Sequence, residues 1–299
     1  MLRLDFTRAE LNLPKTLAAT RRASISGVQD KVQLKKTRVG FCVAESGGDY
    51  ILKPVPQNTD AVYASDIPVN EFLTMRIASK IFGINTAKHE LVTLADGEYA
   101  YMTKRFDRRN GVPVRQEDFC QLAERSEDAH GENYKYDASY EELAQLVRRY
   151  CPSHMVENPK ILFTVIFNYV FSNGDAHLKN FSLYESSQGD YILTPAYDLL
   201  NTRLHFPNEP TATGLDFFAD GHFTSRYKEL GFYSGEDFVE LGKCFGVPEN
   251  TVRKMLSRFG KAACDVEKEI ASSALSDSAK ELYLKHFIDR LRAVAMKTI

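Results

Sequence analysis

The chain has 299 residues, 43% of them apolar, enough to bury a substantial core and to build two lobes or two small domains. Its 38 basic and 40 acidic residues leave a formal charge of -2, so no whole-molecule field draws it to nucleic acid or an anionic membrane. The five cysteines (Cys42, Cys120, Cys151, Cys244, Cys264) are odd in number, widely spaced and free of any C-x-x-C pair, which argues against a disulfide framework or structural zinc. A reducing cytoplasm fits that usage. The start, Met1 to Asp5, lacks an apolar signal core, and the longest apolar run, Ile161 to Phe171, is interrupted by Asn168 and too short to span a bilayer.

From Val28 to Asp107 the sequence predicts short strands over Val28 to Lys35, Gly40 to Glu45, Tyr50 to Pro54, Glu90 to Leu94 and Tyr99 to Phe106. One helix interrupts them. Asn70 to Phe82 places Phe72, Leu73, Met75, Ile77, Ala78 and Ile81 at helical spacing and stops at Gly83. A small sheet with one helix packed on it is expected. Beyond Gly111 the predicted elements are helices: Gln116 to Glu124, Tyr140 to Tyr150, Pro159 to Ser172, Gly235 to Phe245, Glu249 to Arg258, Ala262 to Ser272 and Ser278 to Met296. This order predicts an α+β, two-lobed protein: a β-rich lobe over 1–107, a larger helical lobe over 108–299 and a ligand cleft between them. Asn201 to Arg226 has no legible pattern.

The chemistry concentrates in Ser172-Asn173-Gly174-Asp175-Ala176-His177-Leu178-Lys179-Asn180, followed by Ala196-Tyr197-Asp198. Asp175 and Asn180 have the D-x-x-x-x-N spacing of a phosphoryl-transfer loop, in which the carboxylate accepts a substrate hydroxyl proton and the amide binds magnesium. Lys179 can offset charge on the transferred group, and Asp198, after a hairpin through Ser186 to Asp190, can hold a second metal bond. The competing readings are a polar turn in which Asn-Gly supplies positive φ, and an aspartate that only caps a following helix. Lys53, in Tyr50-Ile51-Leu52-Lys53-Pro54, is expected to point away from the helix-packed face and to pair with phosphates, with Glu71 placed to orient it. A solvated strand lysine is the alternative. Ser24-Ile25-Ser26-Gly27-Val28-Gln29-Asp30-Lys31 has one glycine and is neither a Walker loop nor a G-x-G-x-x-G, yet its amides, hydroxyls and Lys31 can cover phosphate.

Segments 24 to 31, Ile51 to Pro54, Asn70 to Phe72, Arg105 to Arg108, Arg115 to Gln121, Asn173 to Ser182 and Pro195 to Leu199 together resemble the HipA family of bacterial toxin serine/threonine kinases, in order and spacing, over nearly the whole chain from residue 24. The resemblance implies a protein-kinase-like fold with ATP and Mg2+ in the cleft. By position it implies that Ser26, Gly27, Val28, Gln29, Asp30 and Lys31 cover phosphate and that Lys53 binds it. Lys104, Arg105 and Phe106 then contact adenine, Asp175 is the base, His177 and Lys179 meet the nucleotide, Asn180 and Asp198 hold metal, and Tyr197 sits beside the second metal position. The family commonly has glutamate where this chain has Lys104, which leaves main-chain contacts to adenine intact.

Ser24 and Ser26 match an autophosphorylation site whose added negative charge would oppose ATP. Only twenty-three residues precede Ser24, so the chain is similar to the short HipT type, whose missing subdomain comes from a small HipS-like protein. The family further implies aminoacyl-tRNA synthetase substrates and a DNA-binding HipB-like antitoxin, while the balanced charge leads to the expectation of no nucleic-acid or membrane binding by the chain itself. Two other readings were open: a DNA-binding regulator with a helix-turn-helix over Leu241 to Arg258, and a pseudokinase scaffold binding an antitoxin.

Overall fold

The structure is a computed structural model that describes residues 2–11, 31–57, 59–109, 111–208 and 212–295. The expectations for Ser24, Ser26, Gly27, Val28, Gln29 and Asp30 fall outside the described residues.

The N-terminal part is a six-stranded sheet. Its strands are β1 (Leu2–Arg3), β2 (Val32–Lys36), β3 (Phe41–Val43), β4 (Tyr50–Pro54), β5 (His89–Thr93) and β6 (Tyr99–Lys104), in the order β1-β5-β6-β4-β2-β3. β1 runs parallel to β5, and the other pairs are antiparallel. Alternation of side chains along each strand gives the sheet two apolar faces. Leu34, Leu52, Val92, Ala100 and Met102 form one core with Leu4 and with Leu11 of the short helix α1 (Arg8–Leu11). Leu91 and Tyr101 face the other way, toward Leu73, Met75 and Ile77 of helix α2 (Ile67–Lys80). The expected helix therefore covers one face, and residues 2–11 cover the second. Helix α2 begins three residues ahead of the expected Asn70, because Pro68 suits a first turn. Gly83, at φ 65, ends it in the left-handed region.

A hairpin, β7 (Arg108–Arg109) with β8 (Val112–Pro113), leads into the helical part. There the expected helix over Gln116 to Glu124 is corrected. Gln116–Asp118 is strand β9, drawn into a three-stranded sheet by β10 (Ser182–Glu185), with β11 (Tyr191–Leu193) on its far side. Only Phe119–Leu122 is helical (α3), started by a capping box between Asp118 and Gln121. After α4 (Glu127–His130), α5 (Tyr140–Tyr150) opens with a second capping box, Ser139 with Glu142. Helix α6 (His154–Val170) starts five residues earlier than expected and carries Pro159 inside it.

The remaining helices are α7 (Ser225–Leu230), α8 (Gly235–Cys244), α9 (Glu249–Lys261), α10 (Ala263–Ala271) and α11 (Asp277–Ala295). One apolar core runs from α2 into these helices. Phe82 stacks on Phe259 of α9 at 4.7 Å and meets Phe167 and Phe171 edge-on, while Arg76 and Lys80 of α2 pair with Glu269 of α10. The helix pair proposed for DNA exists, with Gly246 at φ 69 between its members. Its second helix, however, turns Val252 and Phe259 into the core, pairs Arg253 with Glu236 and Glu249, and uses Arg258 on the Phe82 carbonyl and the Phe163 ring. Val252 and Phe259 are thus buried, while Arg253 and Arg258 stay exposed but are engaged by partners within the chain. No helix among the described residues is long and apolar enough to cross a membrane.

Candidate active site

From Ile161 onward helix α6 is a buried apolar rod, and its C-terminal end delivers Asn173 and Asp175 to the junction of the sheet and the helices. Asn173 braces the turn: its Nδ2 donates to Asn168 Oδ1 at 2.9 Å and to the Asp198 carbonyl at 3.2 Å. The left-handed residue is Ser172, at φ 55, not the Asn173-Gly174 pair, so the plain Asn-Gly turn reading does not describe this loop. Tyr140 donates to the Ala176 carbonyl at 3.0 Å. Gly214 passes behind the same peptide, so close that a Cβ on it would lie 2.4 Å from the Ala176 carbonyl carbon.

Lys53 corrects the expected orientation: it is 4% exposed and faces helix α2. Its Nζ donates to Glu71 Oε1 at 2.6 Å and to Asp198 Oδ1, and lies 5.5 Å from the Tyr101 ring centre. Burial opposes the charge on Lys53, but the Asp198 and Glu71 carboxylates outweigh it and raise its pKa. Burial also opposes the charge on Asp198, where Lys53 and Lys31 prevail and hold the carboxyl below its usual range. On Glu71 burial wins and pushes the carboxyl up. Asp198 adopts φ 55, a left-handed conformation that side chains disfavour, so its placement is imposed by these partners rather than by a helix cap.

One residue before Glu71, Asn70 clamps the segment beyond Asp198. Its Oδ1 accepts the Asn201 amide at 3.0 Å, and its Nδ2 donates to the Asn201 carbonyl at 2.9 Å. On the other side, Asn180 Nδ2 donates to Asp198 Oδ2 at 3.5 Å, and its Oδ1 accepts the His177 amide at 3.0 Å. His177 is buried, burial pushes its imidazole down to about 4, and neither ring nitrogen has a hydrogen-bond partner among the described residues. Its Nε2 is 3.7 Å from Asp175 Oδ1. Tyr197 donates to the Lys179 carbonyl at 2.8 Å, and Lys179 Nζ lies 3.7 Å from Asp118.

Lys31, Lys53, Lys104, Arg105, Phe106, His177, Lys179, Asn180, Tyr197 and Asp198 line one cavity of about 310 Å³. The sequence reading assigned no role to Thr103, Gln116, Asp118 and Gln121, which line it too. Segment Arg115 to Gln121 did signal the last three: it was one of the matching segments. Asp175 does not line this cavity. It is joined to it through His177 and has a side chain 43% exposed. The cavity thus offers four ammonium groups and a guanidinium, the carboxylates of Asp107, Asp118 and Asp198, the amides of Gln116, Gln121 and Asn180, and unpaired imidazole nitrogens, a set that suits a metal-bound polyphosphate. Among the described residues no three His, Cys, Asp or Glu side chains cluster as metal ligands, so a cation would rest on Asp198 and Asn180 together with the phosphates.

Residues 23–266 match the HipA-like C-terminal domain family. A Haemophilus influenzae protein provisionally named a kinase is 30% identical over 90% of this chain and 80% of its own length. The serine/threonine-protein kinase toxin HipA of Shewanella oneidensis is 28% identical over 80% of this chain and 55% of its own length. Among solved structures, Shewanella oneidensis HipA in complex with HipB and operator DNA superposes with a TM-score of 0.67 at 23% identity. That match covers 91% of this chain and 65% of the other. The α+β architecture is thus that of a HipA kinase, and the chain spans about half to two thirds of the length of the HipA proteins it matches.

Proposed function

This chain belongs to the HipA-like C-terminal domain family of kinases, and from that premise we propose that it transfers the γ-phosphate of ATP to a serine or threonine hydroxyl of a protein. The observation that carries the reading is the Lys53 ammonium, buried between Glu71 and Asp198 on the wall of a cavity that also presents Asn180, His177 and Lys179. Residues far apart in sequence meet there with the inventory that phosphoryl transfer requires.

In this reading Lys53, oriented by Glu71, holds the α and β phosphates, while Lys31 and Lys179 offset charge on the group in transit. The main chain of Lys104, Arg105 and Phe106 contacts adenine. Asn180 and Asp198 would hold Mg2+, and the low pKa of Asp198 keeps a hard oxygen ligand available there. When bound, such an ion would neutralise the β and γ phosphates. Asp175 takes the proton of the acceptor hydroxyl as its oxygen attacks phosphorus; the bond to the bridging oxygen breaks, and ADP departs. Ser24 and Ser26 are proposed to be phosphorylated by the same site, where about two added negative charges would repel nucleotide. The acceptor protein is proposed to be an aminoacyl-tRNA synthetase, which would stop translation, and the partners a HipS-like and a HipB-like antitoxin. The HipB complex of the Shewanella oneidensis HipA supports the antitoxin reading.

The test is incubation with labelled ATP, magnesium and a bacterial lysate, followed by identification of the labelled proteins. The wild type should label a synthetase and itself, and D175N should lose at least about 100-fold of both while melting at the wild-type temperature. Undiminished labelling by D175N would end the proposal. Mass spectrometry of the self-labelled chain should place phosphate on Ser24 or Ser26.

A further inference from the structure

Nothing in the sequence singles out residues 131–138, yet they run along the loop that carries Asp175. The Tyr134 hydroxyl accepts Lys179 Nζ at 3.3 Å, and the Lys135 carbonyl accepts the Leu178 amide at 3.2 Å. The Tyr136 ring meets His177 edge-on with centres 5.1 Å apart, and the Tyr136 hydroxyl donates to Asp175 Oδ1. A phenol hydroxyl is the same kind of donor as the seryl hydroxyl that a base at Asp175 receives, and it occupies one of that carboxylate's two oxygens.

Exposure gives this contact its meaning. The Asp175 side chain is 43% exposed and Tyr136 is 36% exposed, so the base faces solvent beside the cavity proposed for the nucleotide. A kinase with its base open to water is prepared to hydrolyse ATP. A water oxygen would attack the γ-phosphorus, Asp175 would take the proton, the bond to the bridging oxygen would break, and ADP and phosphate would leave. A surface hydrogen bond is weak enough for a bound substrate to exchange and strong enough to disfavour water meanwhile.

We infer that Tyr136 is a gate on Asp175: it holds the place of the acceptor hydroxyl until a protein substrate displaces it, and so suppresses hydrolysis of ATP. This rests on the kinase reading above. Tyr136 acts through Asp175 and is a positioning residue, outside the cavity that would hold the nucleotide.

The experiment measures steady-state ADP release from ATP and magnesium, beyond one turnover and without acceptor protein, for wild type, Y136F and Y136F/D175N. Y136F keeps the ring on His177 and removes only the hydroxyl. Its ADP release should rise about tenfold, the scale of one hydrogen bond to a carboxylate, with nucleotide affinity and melting temperature unchanged. Damage to the fold would lower the rate, so a gain is diagnostic. Y136F/D175N should fall to the wild-type rate or below. If Y136F releases ADP no faster while wild type still labels itself, the gate is wrong and the kinase reading stands. A double variant that keeps the raised rate also overturns the gate, and a wild type that neither labels itself nor releases ADP takes both down.

Discussion

The two sides of the cleft are built differently. Where the sheet meets the helices, Lys53, Glu71 and Asp198 are held by one another, by Asn70 and by the Asn173 brace. On the helical side Asp175 reaches the surface and has a tyrosine hydroxyl for a partner. A nucleotide is the same in every turnover, so the groups that would hold it can be set in place during folding. The proposed acceptor is a protein that must arrive and leave, so its side is left open. Preorganisation is thus concentrated where the ligand is constant.

The sharpest way to break this comparison is to remove one charge from each side. K53A should leave the buried Glu71 and the partly buried Asp198 without their cation and cost about 3 kcal/mol of stability along with transfer. D175N should abolish transfer with almost no change in a urea unfolding midpoint. Equal destabilisation by the two would refute the contrast.

Acid should expose the buried side next. His177 and His286 are buried with imidazoles pushed down to about 4 by desolvation, from an ordinary 6.5. As pH falls from about 6.5 toward 4, the unfolded chain takes up protons that the folded chain refuses, so stability is lost through that window, by up to ~3 kcal/mol for each histidine. Urea titrations at pH 7 and pH 4.5 should show the loss, and H286N should remove about half of it. A smaller effect is expected from N70A, which frees the Asn201 backbone from α2: about 1–3 kcal/mol in stability, with weaker nucleotide binding by fluorescence titration. K104A, on an exposed side chain of the cavity rim, should stay within about 0.5 kcal/mol of wild type and leave ATP affinity unaltered. A large loss of affinity there would mean that the side chain, rather than the main chain, meets adenine.

Local pattern carried much of this molecule into view. Tyr50–Pro54 and Tyr140–Tyr150 fall where strand composition and helical spacing put them, because the strand follows a Gly-rich turn and the helix has one apolar face and a capping box. His154 to Asn158 did not read as helix, since Met155 and Val156 are exposed and Pro159 argues for a start at that residue. Gln116–Asp118 became a strand only because β10 lies beside it, a long-range pairing that no window of sequence contains. The same limit applied to the site. Lys53, Glu71, Asp175, Asn180 and Asp198 were legible as residue types at telling spacings. The direction of Lys53 was not, because a desolvated lysine becomes acceptable only once two carboxylates from distant segments surround it. Tyr136 and Asn70 act through contacts over thirty-nine and a hundred and thirty-one residues.

Gly214 has no side chain to offer any reaction, yet the peptide that joins Ala176 to its neighbours rests against it. A single methyl at that position has nowhere to go except into the backbone beside Asp175. In a genetic hunt for inactive variants, G214A should therefore surface alongside the charged residues, as a blemish in the scaffold that mimics a missing catalytic group.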